Sequence, residues 1–213
     1  MNWDVVLRFL RVGAQATVYL SVATLALSTV LALPIAVLSL SPVRIVRKSI
    51  ALYTTVFRGT PELVILFFTF LVLPQLGLRL KPMTAAILAF TMFSTAYIVE
   101  IFRGGFQGVQ RGQFEAARGL GLSYPRTIRR IILPQVLRIV VAPFMSNATI
   151  VVKRSSLASA VAVNEIMSNA NLMIVSTNRP FLIIALVGLI YVILNSAILG
   201  MQVVFEKRWA FKF

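Results

Sequence analysis

The chain of 213 residues contains no cysteine and no histidine. The first absence removes thiolate nucleophiles, disulfides and sulfur metal ligands; the second removes imidazole ligands and the commonest general base. Acidic residues are scarce as well, six against 21 Lys and Arg, and no apolar stretch carries two carboxylates that could share acid and base roles. There is also no Gly-Lys dipeptide, so the phosphate loop Gly-x4-Gly-Lys-[Ser/Thr] is excluded. Catalysis by this chain, with a metal or cofactor of its own, is not expected.

What the sequence does contain is apolar surface. Apolar residues make up 59% of the chain and charged residues 13%, against roughly a quarter charged in an ordinary soluble domain. A helix crossing the roughly 30 Å hydrocarbon core needs about 20 apolar residues. Apolar stretches at about 12–40, 50–76, 83–102, 139–163 and 181–205 therefore predict an all-α membrane protein of five spans in one membrane domain. The net charge of +15 does not point to nucleic acid, because the basic residues punctuate apolar stretches instead of forming the face of a soluble module. Contact with anionic lipid and retention of basic loops in the cytoplasm account for it.

Two stretches break the apolar pattern. The second span holds a polar island, Arg58-Gly59-Thr60-Pro61-Glu62, and the fourth stops at Lys153-Arg154-Ser155-Ser156 before resuming at Leu157, which reads as a broken or re-entrant helix. Between them, 103–138 is the longest polar stretch and holds seven arginines. With five spans, this segment, the basic group Arg44, Arg47 and Lys48, and the tail with Lys207, Arg208 and Lys212 share one side, which the positive-inside rule assigns to the cytoplasm. The N-terminus then lies outside; Arg8 and Arg11 oppose this mildly unless the start of the chain lies along the membrane surface. Asp4, Arg8 and Arg11 also argue against a cleavable signal peptide in Met1 to Val12. The segment 164–180 reads as a polar connection.

Within 103–138, Gln113 to Leu120 predicts about two helical turns, with Glu115 favourable near the N-terminus of the dipole and Gly119 and Gly121 suited to ending the helix. Ser123 is placed to cap a second short helix that Pro134 terminates, with Arg126, Arg129 and Arg130 on one face. The run Glu115-Ala116-Ala117, three residues, Gly121, nine residues, Ile131-Ile132-Leu133-Pro134 resembles the EAA loop of ABC importer permeases. Arg58 to Pro61, Ala96 to Gly105 and Lys153 to Leu157 are similar to the polar amino-acid permeases of type I importers.

The resemblance implies a type I ABC importer permease fold with a cytoplasmic coupling helix, in the bacterial inner membrane. Glu115, Ala116, Ala117, Gly119 and Gly121 would meet a separate ATPase dimer that binds ATP and Mg. The other implied partners are a second permease subunit, identical or homologous, and an extracytoplasmic solute-binding protein. A different small polar solute, an opine or a sulfur-containing zwitterion, fits the same architecture, and a stand-alone secondary carrier is the alternative in which the loop is incidental.

Ionisable residues at membrane depth cost about 2.5 to 3.5 kcal/mol on insertion scales and are candidates by default. Glu62, after a Pro61 suited to the first helical position, either caps its half-helix and pairs with Arg58 or faces the pathway. Glu100 and Arg103 read as an ion pair, and Glu165 as a solvated residue or a contact with the binding protein. Lys153, Arg154, Ser155 and Ser156 either line the pathway, with a cation set for a solute carboxylate, or anchor the helix to the lipid interface. Related permeases usually carry an acidic residue where this chain has Arg154.

Overall fold

The computed structural model describes residues 3–209, with side chains described through Lys207, so Lys212 and the Arg208 side chain of the basic tail lie outside it. Nine α-helices, joined in places by π or 3-10 turns, account for nearly all of the described residues. They are α1 (Trp3–Leu38), α2 (Arg44–Gly59), α3 (Glu62–Phe67), α4 (Pro82–Gly108), α5 (Arg111–Gly119), α6 (Tyr124–Thr127), α7 (Leu133–Arg154), α8 (Ile166–Thr177) and α9 (Pro180–Trp209).

Three buried clusters set the directions of the helices. Val6 and Leu10 of α1 pack with Ile166, Ala170 and Met173 of α8 and Ile183 and Val187 of α9. Ala32 and Ala36, at the other end of α1, pack with Ile98, Val99 and Phe102 of α4 and with Ile132, Val136 and Val140. The third cluster joins Leu20, Ile65, Leu66, Phe90, Phe93, Ala158 and Val161. Consequently α1, α4 and α9 run toward the end that carries α5, and α2 with α3, and α7, run back. The chain crosses the bundle five times, counting α2 and α3 as one crossing, and Trp3 and Lys207 fall at opposite ends.

Small residues let these helices approach. Thr17, Ser21, Thr24 and Ser28 are all buried and lie on one face of α1; α4 contributes Ala85, Ala86, Ala89, Ser94 and Ala96. In lipid, where apolar side chains gain little by leaving the solvent, such close packing is a main source of association. Gly13 and Gly105 mark the tightest points: a Cβ on Gly13 would lie 2.8 Å from the Ile166 Cα, and one on Gly105 would lie 2.3 Å from Val140 Cγ1.

The structure corrects the sequence reading in several places. The sharp break is in the second crossing, not the fourth: α2 and α3 meet at 99°. Proline has no N–H and pushes the residue before it out of the helical region, and Thr60 is extended at φ −90° and ψ 134°. By contrast, Tyr124–Val161 is one continuous helical run of 38 residues. It does not unwind at Ser155-Ser156 but tightens into a 3-10 helix, Ser155–Val161. The hydroxyls explain why: Ser155 Oγ donates to the Val152 carbonyl at 2.7 Å and Ser156 Oγ to that of Lys153 at 2.8 Å, so no carbonyl need face lipid.

Nor does Pro134 end a helix. It lies inside the continuous run, directly after a π turn, Ile128–Ile132, that shifts the hydrogen-bond register where the proline N–H is missing. The first residues do not lie apart on a surface, because α1 is unbroken from Trp3 and buries Val6 and Leu10. The polar connection at 164–180 contains the twelve-residue helix α8.

Candidate functional site

The bend between α2 and α3 places Glu62 in the first turn of α3, with Pro61 at the N-cap position and not inside the helix. Its carboxylate does not pair with Arg58. Glu62 Oε1 lies 2.7 Å from Arg154 Nε in an ion pair, and the two side chains are 15% and 19% exposed. Arg154 also lies over two aromatic faces of α4, 4.6 Å from the Phe93 ring centre and 5.2 Å from that of Tyr97. Glu62 Oε2 and Arg154 Nη1 are buried with no hydrogen-bond partner among the described residues. One acceptor atom of the carboxylate and one donor of the guanidinium are thus left without a partner beside an aromatic wall.

The other residues of the Lys153 to Ser156 group are arranged differently. Lys153 is exposed, Ser155 is buried and Ser156 half-buried, and both hydroxyls are engaged by the backbone one turn earlier. The structure brings Glu62 and Arg154 together and leaves the serines as helix-tightening groups.

Arg58 finds a different carboxylate. Its Nη1 lies 3.9 Å from Glu100 Oε2, the same oxygen that accepts from Arg103 through Nε at 3.1 Å and through Nη2. The Glu100–Arg103 pair is therefore present, with Arg58 as a third member. Glu165 departs from expectation: it is 0% exposed and caps α8, accepting from Met167 N at 2.8 Å, Ser168 N at 2.7 Å and the Tyr191 hydroxyl at 3.2 Å. A carboxylate with three donors is a structural anchor and is closed to solvent and to partners.

At the end of the bundle reached by α4, α5 projects as a nine-residue helix. Ala117 is buried against its base, whereas Glu115, Ala116 and Gly119 are exposed. Gly121 has φ +70°, and the bonds Leu122 N to Ala117 O at 3.1 Å and Gly121 N to Arg118 O at 3.0 Å close a Schellman turn. The turn fixes α5 relative to α6, for which Ser123 is the N-cap by position, without a side-chain cap bond.

Residues 25–211 match the family of binding-protein-dependent transport system inner membrane components. The chain belongs to this family. Among its relatives is the Bacillus subtilis protein named "Probable amino-acid ABC transporter permease protein YckA", 35% identical over 198 residues, 93% of this chain and 88% of that protein. The "Probable glutamine ABC transporter permease protein GlnP" of the same organism is 38% identical over 166 residues, 78% of this chain and 76% of that protein. A solved structure titled "Crystal structure of an amino acid ABC transporter with histidines" superimposes with a TM-score of 0.88 at 27% identity, covering 94% of each chain. The chain is thus a transport permease subunit, a multi-pass protein of the inner membrane.

Sequence reasoning missed three features of this permease. The Tyr191 bond to Glu165 joins residues 26 apart and leaves no local signal. The hydroxyl stripe Thr17, Ser21, Thr24, Ser28 was accessible from its spacing alone, since i, i+4, i+7, i+11 lie on one helix face. The third is the ring of Tyr97, which two guanidiniums, Arg154 and Arg58, approach, each 5.2 Å from its centre.

Proposed function

We propose that this chain is the translocating subunit of an ATP-driven importer for polar amino acids, coupled to a separate ATPase through α5. The observation that carries it is the conjunction, in one chain, of the exposed Glu115-Ala116 face on a Schellman-locked helix and the buried Glu62–Arg154 pair. A short helix with small side chains permits close approach of a partner, and the turn at Gly121 transmits its displacement to α6 and the continuous helix beyond. Glu115, Ala116, Ala117, Gly119 and Gly121 form the coupling element, Ala117 as its buried footing. The ATPase dimer, a second permease subunit and a solute-binding protein complete the assembly.

In this reading Glu62 and Arg154 meet the ammonium and carboxylate of the solute, and Lys153, Ser155 and Ser156 shape the helix end beside them. The end bearing α5 and Lys207 is cytoplasmic and the end bearing Trp3 and α8 is outside, as the clustering of basic residues favours.

Affinity purification of the tagged full-length chain tests the coupling: an ATP-hydrolysing subunit co-elutes with wild type and is lost with Glu115→Arg. Uptake of a radiolabelled L-amino-acid panel tests the substrate class. Arg154→Ala lowers uptake at least about tenfold, which corresponds to about 1.4 kcal/mol. Purification without an ATPase favours a secondary carrier, and uptake of an opine but no protein amino acid redirects the substrate.

A further inference from the structure

A cavity of about 550 Å³ lies between α2 and α4, toward the end that carries α5. Arg47, Arg58 and Arg103 line it, with Thr55 on its wall and Glu100 as its one carboxylate. Three guanidiniums against one carboxylate leave an excess of positive charge. The deficit falls on Arg58, because its 3.9 Å approach to Glu100 is longer than a hydrogen bond and the same oxygen is engaged by Arg103. A guanidinium carries five donors in a fork that matches a carboxylate.

We propose that this cavity is a second carboxylate-binding station for the transported solute, with Arg58 as its principal donor and the Tyr97 ring, which both Arg58 and Arg154 approach, as its link to the first. The inference rests on the permease reading above. Phe93, Tyr97, Glu100 and Gln107 lie on one face of α4, at offsets of four, seven and fourteen residues. That face runs from the wall of the Glu62–Arg154 pair into the cavity. Arg154 and Arg58 approach the same Tyr97 ring, so a carboxylate released by the one has the other as the next guanidinium. Glu62 and Glu100 neutralise part of each station's charge when it is empty and compete with the solute when it is filled, which keeps binding weak enough for release.

The absence of cysteine makes the test direct. Thr55→Cys places a lone thiol on the cavity wall, and Asn171→Cys on α8, an exposed polar position outside the cavity, is the control. The full-length chain in phosphatidylcholine nanodiscs is labelled with anionic methanethiosulfonate ethylsulfonate or its cationic trimethylammonium counterpart. At Thr55→Cys the anionic reagent reacts roughly fivefold faster relative to the control, the effect of about 1 kcal/mol from a nearby solvated charge. Arg58→Gln abolishes the preference and Arg58→Lys keeps it.

A mixture of L-amino acids slows the labelling, and the corresponding amino-acid amides do not. Equal rates for the two reagents, a preference that survives Arg58→Gln, or equal protection by acids and amides overturns the proposal. Protection that appears only when phosphatidylglycerol is added assigns the cavity to a lipid headgroup and overturns it also. If Arg58→Gln does not yield folded protein, the wild-type rate ratio and the acid-against-amide comparison decide. Wild-type uptake without any anion preference sinks the second station alone, whereas the preference without uptake or ATPase sinks the proposed function alone.

Discussion

Glu62 and Arg154 each account for the other's place. An arginine mostly removed from water needs a carboxylate, and the bend before Glu62 supplies it across 92 residues of sequence. Removing one partner of a buried pair leaves an uncompensated charge, which costs about 3 to 5 kcal/mol when burial is complete. Here some exposure remains, so Glu62→Gln is expected to lower stability by about 2 kcal/mol, read as an earlier loss of the monodisperse peak after heating in detergent. Glu62→Gln/Arg154→Gln recovers part of the loss, and a double-mutant cycle measures the coupling.

Glu165→Ala belongs at the same scale. It strips two backbone donors and one hydroxyl of their acceptor, and a stability loss of about 2 kcal/mol in the same heating assay is expected from the cap and its buried partners. A residue that only contacted a soluble partner would show no such loss. From sequence, the carboxylate at 62 was visible as an anomaly whereas that at 165 read as solvated, and the partners of neither were visible, because both pairings join different helices.

Among the elements, glycine spacing separates packed helix faces from lipid-facing ones. A Cβ on Gly13 would meet backbone atoms of Ile166, which cannot rotate away, whereas Gly188 and Gly200 in α9 have nothing within 4 Å. Gly13→Ala is therefore expected to destabilise by about 1 to 3 kcal/mol through overpacking, and Gly188→Ala to be neutral or slightly stabilising through helix propensity. Comparative heating of the two variants checks the contrast.

The turn after α5 makes the second prediction at this scale. Gly121→Val forces a β-branched residue to φ +70°, a conformation costing about 1 to 2 kcal/mol. It is expected to loosen α5 and reduce ATPase co-elution while the bundle keeps its heating profile. Helix existence was legible here: the α5 signal, Gly121 as its stop and the long apolar runs all appear in the structure. The location of the break was not, because the cost of a polar run inside a span depends on whether its hydroxyls can bond back to the preceding turn. Ser155 and Ser156 do so and the helix continues, whereas Pro61 removes an N–H and the helix bends.

For the whole molecule, the distribution of exposed surface is itself informative. The most apolar window of α9 is only 11% buried, that of α1 is 33% buried and that of α4 is 67% buried. The bundle therefore has a core helix, α4, and outer helices whose apolar faces suit lipid or a second subunit. With α2 and α3 counted as one span the two ends of the described chain lie on opposite sides, and in the proposed orientation protease digestion of terminal tags is expected to remove an N-terminal tag from intact cells and a C-terminal tag only in inside-out vesicles. Removal of both from the same side means that α2 and α3 return without crossing.

The sequence by itself determined the solvent, the all-helical class and the family, because each rests on a local or periodic signal: apolar run length, basic punctuation and the Glu115 to Pro134 spacing. Tertiary structure decided which charges meet. Glu62 turned to Arg154, Arg58 to Glu100 and Glu165 inward to Tyr191, each by a distance that no spacing rule within one helix encodes. The physical reason is the low dielectric of the membrane interior, where a charge is tolerated only beside its counter-charge or its donors, and helix packing alone determines which ones lie within reach.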